Sequence, residues 1–162
     1  MLLISDMNLT FDISSKTAII FCGIQASGKT TFYRQNLADK NVVHINLDTL
    51  HTRHREQLLM EECATSGKSV VIDNTNPTQA DRKKYITFFR AHNYQIIGIY
   101  FQSNVHDCLK RNADREQRVK DLAVLGTFGK LEIPSLSEGY NELYYVQIND
   151  NQFTLNSWND EI

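Results

Sequence analysis

The sequence predicts an α/β fold, in which a mostly parallel central sheet of about five strands carries helices on both faces. Three observations predict it. Short apolar runs of strand length alternate with longer helix-compatible segments, a glycine-containing loop joins the first apolar run to the first helix, and we see no hairpin signal between neighbouring strand candidates. Such alternation requires crossover connections, which cover the faces of a parallel sheet with helices.

Five segments are predicted as strands because each is a short run rich in β-branched and aromatic residues. They are residues 17–22, 41–46, 69–73, 94–101 and 143–148. The segment 9–13 alternates polar and apolar residues, which indicates an edge strand or a loop. The tail after residue 148 is polar and yields no prediction.

Helices are predicted between the strands. They cover residues 30–38, 54–64 and 105–119, and a further helix starts within 76–81. In that last segment Pro77 is tolerated in a first helical turn, and Asn76 or Thr78 is available as the N-cap. Residues 122–138 are predicted to be mostly loop.

Length and composition restrict the possible classes of protein. A chain of 162 residues with 41% hydrophobic residues supports one core, so we expect a single domain over residues 1–162. Seventeen basic and nineteen acidic residues give a net charge of −2, so any nucleic-acid contact has to be local.

Cys22, Cys63 and Cys108 have no metal-site spacing, which favours reduced thiols and a cytoplasmic location. We expect no signal peptide and no membrane partner. The sequence does not predict an oligomeric state.

The segment GIQASGKTT, residues 23–31, has the spacing of a phosphate-binding loop. In such a loop backbone N–H groups wrap phosphates at a helix N-terminus. Gly23 and Gly28 allow close backbone approach, Lys29 would reach the β- and γ-phosphates, and Thr30 would offer its hydroxyl to Mg²⁺. The structural alternative is an ordinary turn, but a strand candidate precedes the segment and a helix candidate follows it. ATP and Mg²⁺ are therefore the expected cofactors. The predicted nucleotide-binding residues in the loop are Gly23, Gln25, Ala26, Ser27, Gly28, Lys29, Thr30 and Thr31.

Two acids lie at the ends of predicted strands. Asp73 closes the run SVVID, where a carboxylate is suited to holding Mg²⁺, and the alternative is a turn or cap acid. Asp48 follows VVHIN, where a carboxylate can accept the proton of an attacking hydroxyl. The alternative for Asp48 is the N-cap of the next helix. Because parallel strands end at one edge of the sheet, both acids are expected beside the phosphate loop.

Basic residues occur in two further groups. Arg111, Arg115 and Arg118 have spacings of four and three, which would place them on one helix face as a lid over a triphosphate. A solvated face paired with nearby acids is the alternative. His51 and Arg53 follow Asp48 and are available for substrate phosphates, or are surface polar residues.

Four blocks of the sequence resemble the 5′-hydroxyl polynucleotide kinases, in particular the kinase domain of polynucleotide kinase-phosphatases. They lie between residues 19 and about 148. The blocks are GIQASGKTTF, HINLDTL, VVIDNTNPTQADRKKYI, and CLKRNADR together with IPSLSEGYNELYYV. The resemblance implies a P-loop kinase fold and an ATP-dependent phosphotransferase that acts on the 5′-hydroxyl of RNA or DNA.

The resemblance also implies roles for individual residues. They are Asp48 as general base at the substrate, Lys29 and Arg115 as further catalytic residues, Thr30 and Asp73 as metal ligands, and Arg111 and Arg115 as nucleotide-binding lid arginines.

The sequence also departs from the family pattern. Leu47 stands where the family often has arginine, and His51 stands where some members carry an arginine clamp for the substrate phosphate. A small-molecule kinase of the same fold and a non-catalytic, ATP-switched binding module therefore remain alternatives. No phosphatase or ligase motif is present in the sequence, which predicts a kinase module alone.

Overall fold

In the computed structural model, which describes residues 13, 15–160 and 162, the chain is built around a six-stranded sheet. Its strands are β1 (Thr17–Cys22), β2 (Val43–Ile45), β3 (Val70–Ile72), β4 (Gln95–Phe101), β5 (Glu142–Asn149) and β6 (Gln152–Ser157). The spatial order is β2-β3-β1-β4-β5-β6, and only β6 runs antiparallel to its neighbour. The predicted α/β fold with a mostly parallel sheet is confirmed.

Within the part of the chain that the structure describes, six α-helices connect the strands. They are α1 (Lys29–Asn36), α2 (Leu47–Leu50), α3 (Arg53–Ser66), α4 (Gln79–Ala91), α5 (Val105–Ala113) and α6 (Asp121–Lys130). A capping box begins α4, in which Thr78 and Asp81 exchange side-chain and backbone hydrogen bonds, so Thr78 and not Asn76 is the cap. Within the described residues, no helix has both the length and the apolar character needed to cross a bilayer.

The core has two layers because β1 is buried on both faces, as its continuous apolar run predicts. On one face Ala18 and Ile20 pack in a cluster with side chains of α3 and α4. On the other face Ile19 and Phe21 pack in a cluster that contains Phe32 of α1. Helices therefore cover both faces of the sheet, and the strand ends are left to form the site.

The structure corrects two predictions of secondary structure and adds a strand that the sequence did not predict. Helix α5 ends at Ala113 and not at residue 119, because the buried Asn112 amide donates to the carbonyl of Val119 and accepts from its N–H, at 2.9 and 3.2 Å. Residues 122–138 are not mostly loop, since they contain most of α6 and a 3₁₀ turn. The tail forms β6, which pairs with β5 through a turn whose residues Asp150 and Asn151 both have positive φ. Most of the segment predicted at 9–13 lies outside the described residues.

A buried ion pair ties α4 to the segment before β5. The Arg82 guanidinium, fully buried, donates to both carboxylate oxygens of Glu138 at 2.8 and 2.7 Å. Its remaining nitrogen donates to the carbonyls of Asn76 and Pro77 at 3.0 and 3.1 Å. Arg82 therefore fixes the loop between β3 and α4, which forms one wall of the site.

Candidate active site

A cleft of about 710 Å³ lies at the carboxyl ends of β1, β2 and β3. Loop residues that follow these strands line it, together with residues from the α5–α6 region and from the β5–β6 turn. This is the edge where open parallel sheets bind their ligands. Lining residues from the predicted set are Gln25, Ala26, Gly28, Lys29, Thr30, Thr31, Asp48, Arg53, Asp73, Arg111 and Arg115.

The predicted phosphate loop connects β1 to α1 and requires both of its glycines. Gly28 has a φ of +98°, and a Cβ on it would lie 2.9 Å from the ring of Phe153. A Cβ on Gly23 would lie 2.7 Å from the Ser27 hydroxyl oxygen. Gly23 and Ser27 do not line the cleft and instead form the back of the loop. The strand, loop and helix thus occur in the order that a phosphate-binding loop needs.

Lys29 is the first residue of α1, and its ammonium lies inside the loop. It donates to the carbonyls of Gly23 and Ile24 at 2.9 and 2.8 Å. Burial lowers the pKa of Lys29, while the charge of Asp73 opposes that shift. The loop therefore holds a buried cation at the point where the motif places phosphate oxygens.

Asp73 follows β3 and faces Thr30 of the loop. The Thr30 hydroxyl donates to one carboxylate oxygen of Asp73 at 2.8 Å, and the His44 ring nitrogen lies 2.8 Å from the same oxygen. Burial by itself would raise the pKa of Asp73, but the hydrogen bond from His44 and the charge of Lys29 hold this pKa below its usual value. Asp73 is therefore an ionised acid beside the loop.

The environment of Asp73 fits a divalent cation. Its second carboxylate oxygen is buried and has no hydrogen-bond partner among the described residues. A buried, unpartnered carboxylate oxygen next to a threonine hydroxyl is the donor set expected for Mg²⁺ at a phosphate loop. His44, whose ring stacks on Tyr33 at 3.9 Å, orients the carboxylate. Sequence reasoning missed His44, although it lies in a predicted strand, four residues before Asp48.

Asp48 lies in α2, but it is not the cap of that helix. Asn46 is the N-cap, since its side-chain oxygen accepts from the N–H groups of Asp48 and Thr49 at 2.8 and 3.3 Å. The capping alternative for Asp48 is therefore wrong. The Asp48 side chain is exposed, lines the cleft and makes no hydrogen bond or ion pair with the described part of the chain.

A buried hydrogen-bond network lies at the end of the cleft opposite the phosphate loop, which is the acceptor end. Glu56 accepts from the Arg53 guanidinium at 3.0 Å, from the Tyr85 hydroxyl at 2.9 Å and from the Asn74 amide at 3.2 Å. The Asn74 side-chain oxygen accepts from the N–H of Leu47 at 3.0 Å. The network thus fixes α2, which carries Asp48, relative to the end of β3, and it holds Arg53 at the cleft.

Two of the predicted basic residues lie elsewhere. His51 ends α2 with a φ of 69° and is exposed, and it is not among the residues that line the cleft, so its role at the substrate stays a prediction. Arg118 pairs with Asp121 at 3.3 Å on the surface. Because α5 ends at Ala113, the three arginines do not share one helix face.

Arg111 and Arg115 nevertheless both line the cleft. Arg111 donates from Nε to the carbonyl of Ala26 in the phosphate loop at 2.7 Å. Arg115 lies in the turn after α5 and is exposed. Arg111 therefore supports the loop, whereas the guanidinium of Arg115 is available to a ligand.

This difference gives an expected outcome for two variants. Arg115→Ala should lower turnover more than ATP affinity, because a guanidinium beside the transferring group gains most as charge develops in the transition state. Arg111→Ala should weaken ATP binding more, because the loop loses a support. Steady-state kinetics and nucleotide titration of both variants measure these effects. If both variants keep full turnover, neither arginine takes part in the reaction, and the two side chains form only a solvated surface.

Sequence reasoning also missed several cleft residues. They are Asn46, Leu47, Asn74, Thr75, Asn76, Pro77, Asp81, Val119, Ile148 and Asn151. The run NTNP directly after Asp73 was a visible signal for four of them. Ile148 and Asn151 lacked such a signal, because only the antiparallel pairing of β6 brings that turn beside the loop.

Comparison with known proteins finds relatives that are named as kinases. A family model described as an AAA domain matches residues 52–128, just under half of the chain. The bifunctional polynucleotide phosphatase/kinase of Schizosaccharomyces pombe is 26% identical over 148 residues, which cover 86% of this chain and 36% of that protein. A protein of Acanthamoeba polyphaga mimivirus, provisionally named for the same two activities, is 35% identical over 91 residues, covering 56% of this chain and 22% of that protein. The resemblance to polynucleotide kinases is confirmed, and the chain spans about a third or less of these relatives' length.

A solved structure agrees on the fold. Kti12 of Chaetomium thermophilum, in complex with ADP-AlF3, superposes with a TM-score of 0.62 at 16% identity. The match covers 82% of this chain and 90% of that one. The fold is that of the P-loop kinases.

Proposed function

We propose that this chain is an ATP-dependent kinase that transfers the γ-phosphoryl group to the 5′-hydroxyl end of RNA or DNA. One observation carries the proposal. The free carboxylate of Asp48 lines the same cleft as the phosphate loop, the Lys29 ammonium and the ionised Asp73. A nucleotide site alone needs no such carboxylate, whereas transfer to an alcohol needs a group that accepts its proton.

The residues have distinct tasks in this reaction. The loop N–H groups and Lys29 would hold the β- and γ-phosphates, and Thr30 and Asp73 would hold Mg²⁺. When bound, Mg²⁺ neutralises charge on the phosphate oxygens. Asp48 orients the acceptor hydroxyl and takes its proton as the oxygen attacks the γ-phosphorus. The bond from that phosphorus to the bridging oxygen breaks, and ADP leaves with the electron pair.

Two observations support a polynucleotide acceptor. The chain is similar to proteins named as polynucleotide kinases over most of its length. Arg53 lies at the acceptor end with its guanidinium partly exposed, so it can bind a phosphate while Glu56 holds it in place.

A small-molecule acceptor is the second candidate. The Asp81 carboxylate also lines the acceptor end of the cleft. Leu47 stands where the family often has arginine, and His51, which stands where some members have an arginine, does not line the cleft. An acceptor with less negative charge would suit such a site better, so the acceptor has to be tested directly.

The test is a transfer assay with purified protein, γ-labelled ATP and Mg²⁺. Its acceptors are 5′-hydroxyl RNA and DNA oligonucleotides, the same oligonucleotides with a 5′-phosphate, and a set of sugars and small alcohols. We expect label on the 5′-hydroxyl oligonucleotides alone, and none when a chelator exceeds the metal. Transfer only to a small alcohol would establish the second candidate. Nucleotide-dependent partner binding without any transfer would establish a switch module.

A further inference from the structure

We infer that a polynucleotide strand leaves the cleft across a rim formed by Arg53 and Lys84 above the buried Tyr85, and that Lys84 binds a backbone phosphate beyond the 5′-terminal nucleotide. The inference rests on the proposed kinase function. It assigns a binding role to Lys84 and predicts the direction in which the acceptor strand runs over the surface.

The rim is built on one buried tyrosine. The Tyr85 hydroxyl accepts a hydrogen bond from the Arg53 guanidinium at 2.9 Å, and the Lys84 ammonium lies 4.7 Å from the centroid of the Tyr85 ring. Tyr85 itself is fully buried, whereas Arg53 and Lys84 are exposed. Two cations therefore contact the same tyrosine. Arg53 lines the cleft, and Lys84 lies outside it.

The neighbouring acids do not neutralise Lys84 by contact. Glu56 is engaged by Arg53, Tyr85 and Asn74. One carboxylate oxygen of Asp81 accepts from both the N–H and the hydroxyl of Thr78. Lys84 makes no ion pair with the described residues. Partial burial, and next the charge of Arg53, lower the pKa of Lys84, while the charges of Glu56 and Asp81 oppose that shift. Because Arg53 and Lys84 contact the same tyrosine, the two cations lie close enough to repel each other. A bound anion would relieve that repulsion.

A polynucleotide supplies such an anion in the required place. An acceptor with its 5′-hydroxyl at Asp48 would bring its first phosphate to Arg53, which lines the same cleft. Lys84 lies outside the cleft, so only an acceptor with at least one more phosphate extends to it. The net charge of −2 provides no general attraction for a polyanion, which makes a local contact of this kind necessary.

Lys83 provides a matched control. It is the preceding residue of α4 and is equally exposed, but it lines a separate groove with Gln79, Ile86 and Arg90. Lys83→Ala and Lys84→Ala remove the same charge from the same helix. Lys84→Arg retains both the charge and the contact with the Tyr85 ring.

The experiment measures binding of a 5′-hydroxyl single-stranded oligonucleotide, labelled at its 3′ end, by fluorescence anisotropy at several salt concentrations. For Lys84→Ala we expect the slope of log K against log salt to fall by about 0.7 and the Kd at 0.1 M salt to rise about fivefold. Lys83→Ala and Lys84→Arg should match the wild type. In transfer assays, only Lys84→Ala should raise the KM for the oligonucleotide, and the KM for a nucleoside 3′-monophosphate should be the same in both alanine variants.

Several results would overturn the inference. If Lys84→Ala and Lys83→Ala bind alike while the wild type phosphorylates 5′-hydroxyl ends, the strand takes another path and the proposed function stands. If the wild type neither binds nor phosphorylates an oligonucleotide, the inference and the polynucleotide acceptor fail together. A polyglutamate peptide that competes as well as an oligonucleotide would assign the rim to acidic proteins. Equal melting temperatures of the wild type and the variants would exclude unfolding as the cause of a loss of binding.

Discussion

Replacement of Lys29 by alanine is expected to lower phosphoryl transfer by at least about a thousandfold. Its ammonium lies inside the phosphate loop, 2.9 and 2.8 Å from the carbonyls of Gly23 and Ile24. A bound γ-phosphate would lose its main positive partner in a site where burial strengthens electrostatic interactions. The measurement is transfer from γ-labelled ATP to the acceptor found in the panel described above.

The control for this variant is Lys40→Ala, which removes an exposed lysine whose neighbour in space is the exposed Asp39. Lys29→Met keeps the buried stem and removes the charge, so it separates the electrostatic effect from a packing defect. Lys29→Ala and Lys29→Met both leave loop carbonyls without their hydrogen-bond donor, so melting curves are needed to compare the stability of the two variants with that of the wild type. Turnover at the wild-type level in Lys29→Met would remove the assignment of this loop to phosphate binding.

Asp48→Asn is expected to lower transfer by about a hundredfold to ten-thousandfold while ATP binding survives. Asparagine keeps the size of the side chain, but it cannot take up the proton of the hydroxyl. Because the Asp48 carboxylate has no partner among the described residues and Asn46 caps α2, the exchange should leave the fold unchanged. Binding and catalysis should therefore separate, which nucleotide titration and transfer assays on the same preparation measure.

Asp39→Asn, at an exposed position after α1, is the matched control for Asp48→Asn. The defect should appear with a polynucleotide end or with a small alcohol, because the base serves the hydroxyl and not the rest of the acceptor. Normal transfer by Asp48→Asn would refute its role as general base. In an ATP-gated binding module the variant would instead match the wild type in partner binding.

Much of the site was predictable because its signals are local. The spacing of Gly23, Gly28 and Lys29, with an apolar run before and a polar segment after, predicts the loop between β1 and α1. Asp48 and Asp73 were found because each follows a strand candidate, and parallel strands end at one edge. The lid was predicted less well. Arg111 and Arg115 reach the cleft, but on a helix and on a turn instead of on one face.

The sequence by itself determined the fold class, the phosphate loop and the two acids at the strand ends, since periodicity and glycine spacing act over a few neighbouring residues. Only the tertiary structure decided where α5 ends, that the tail adds a strand to the sheet, and which side chains orient the acids. His44 reaches Asp73 across 29 positions of sequence, and the Tyr85 hydroxyl reaches Glu56 across 29 positions. Hydrogen bonds of this kind exist only once the sheet has brought distant segments together, so no local pattern encodes them.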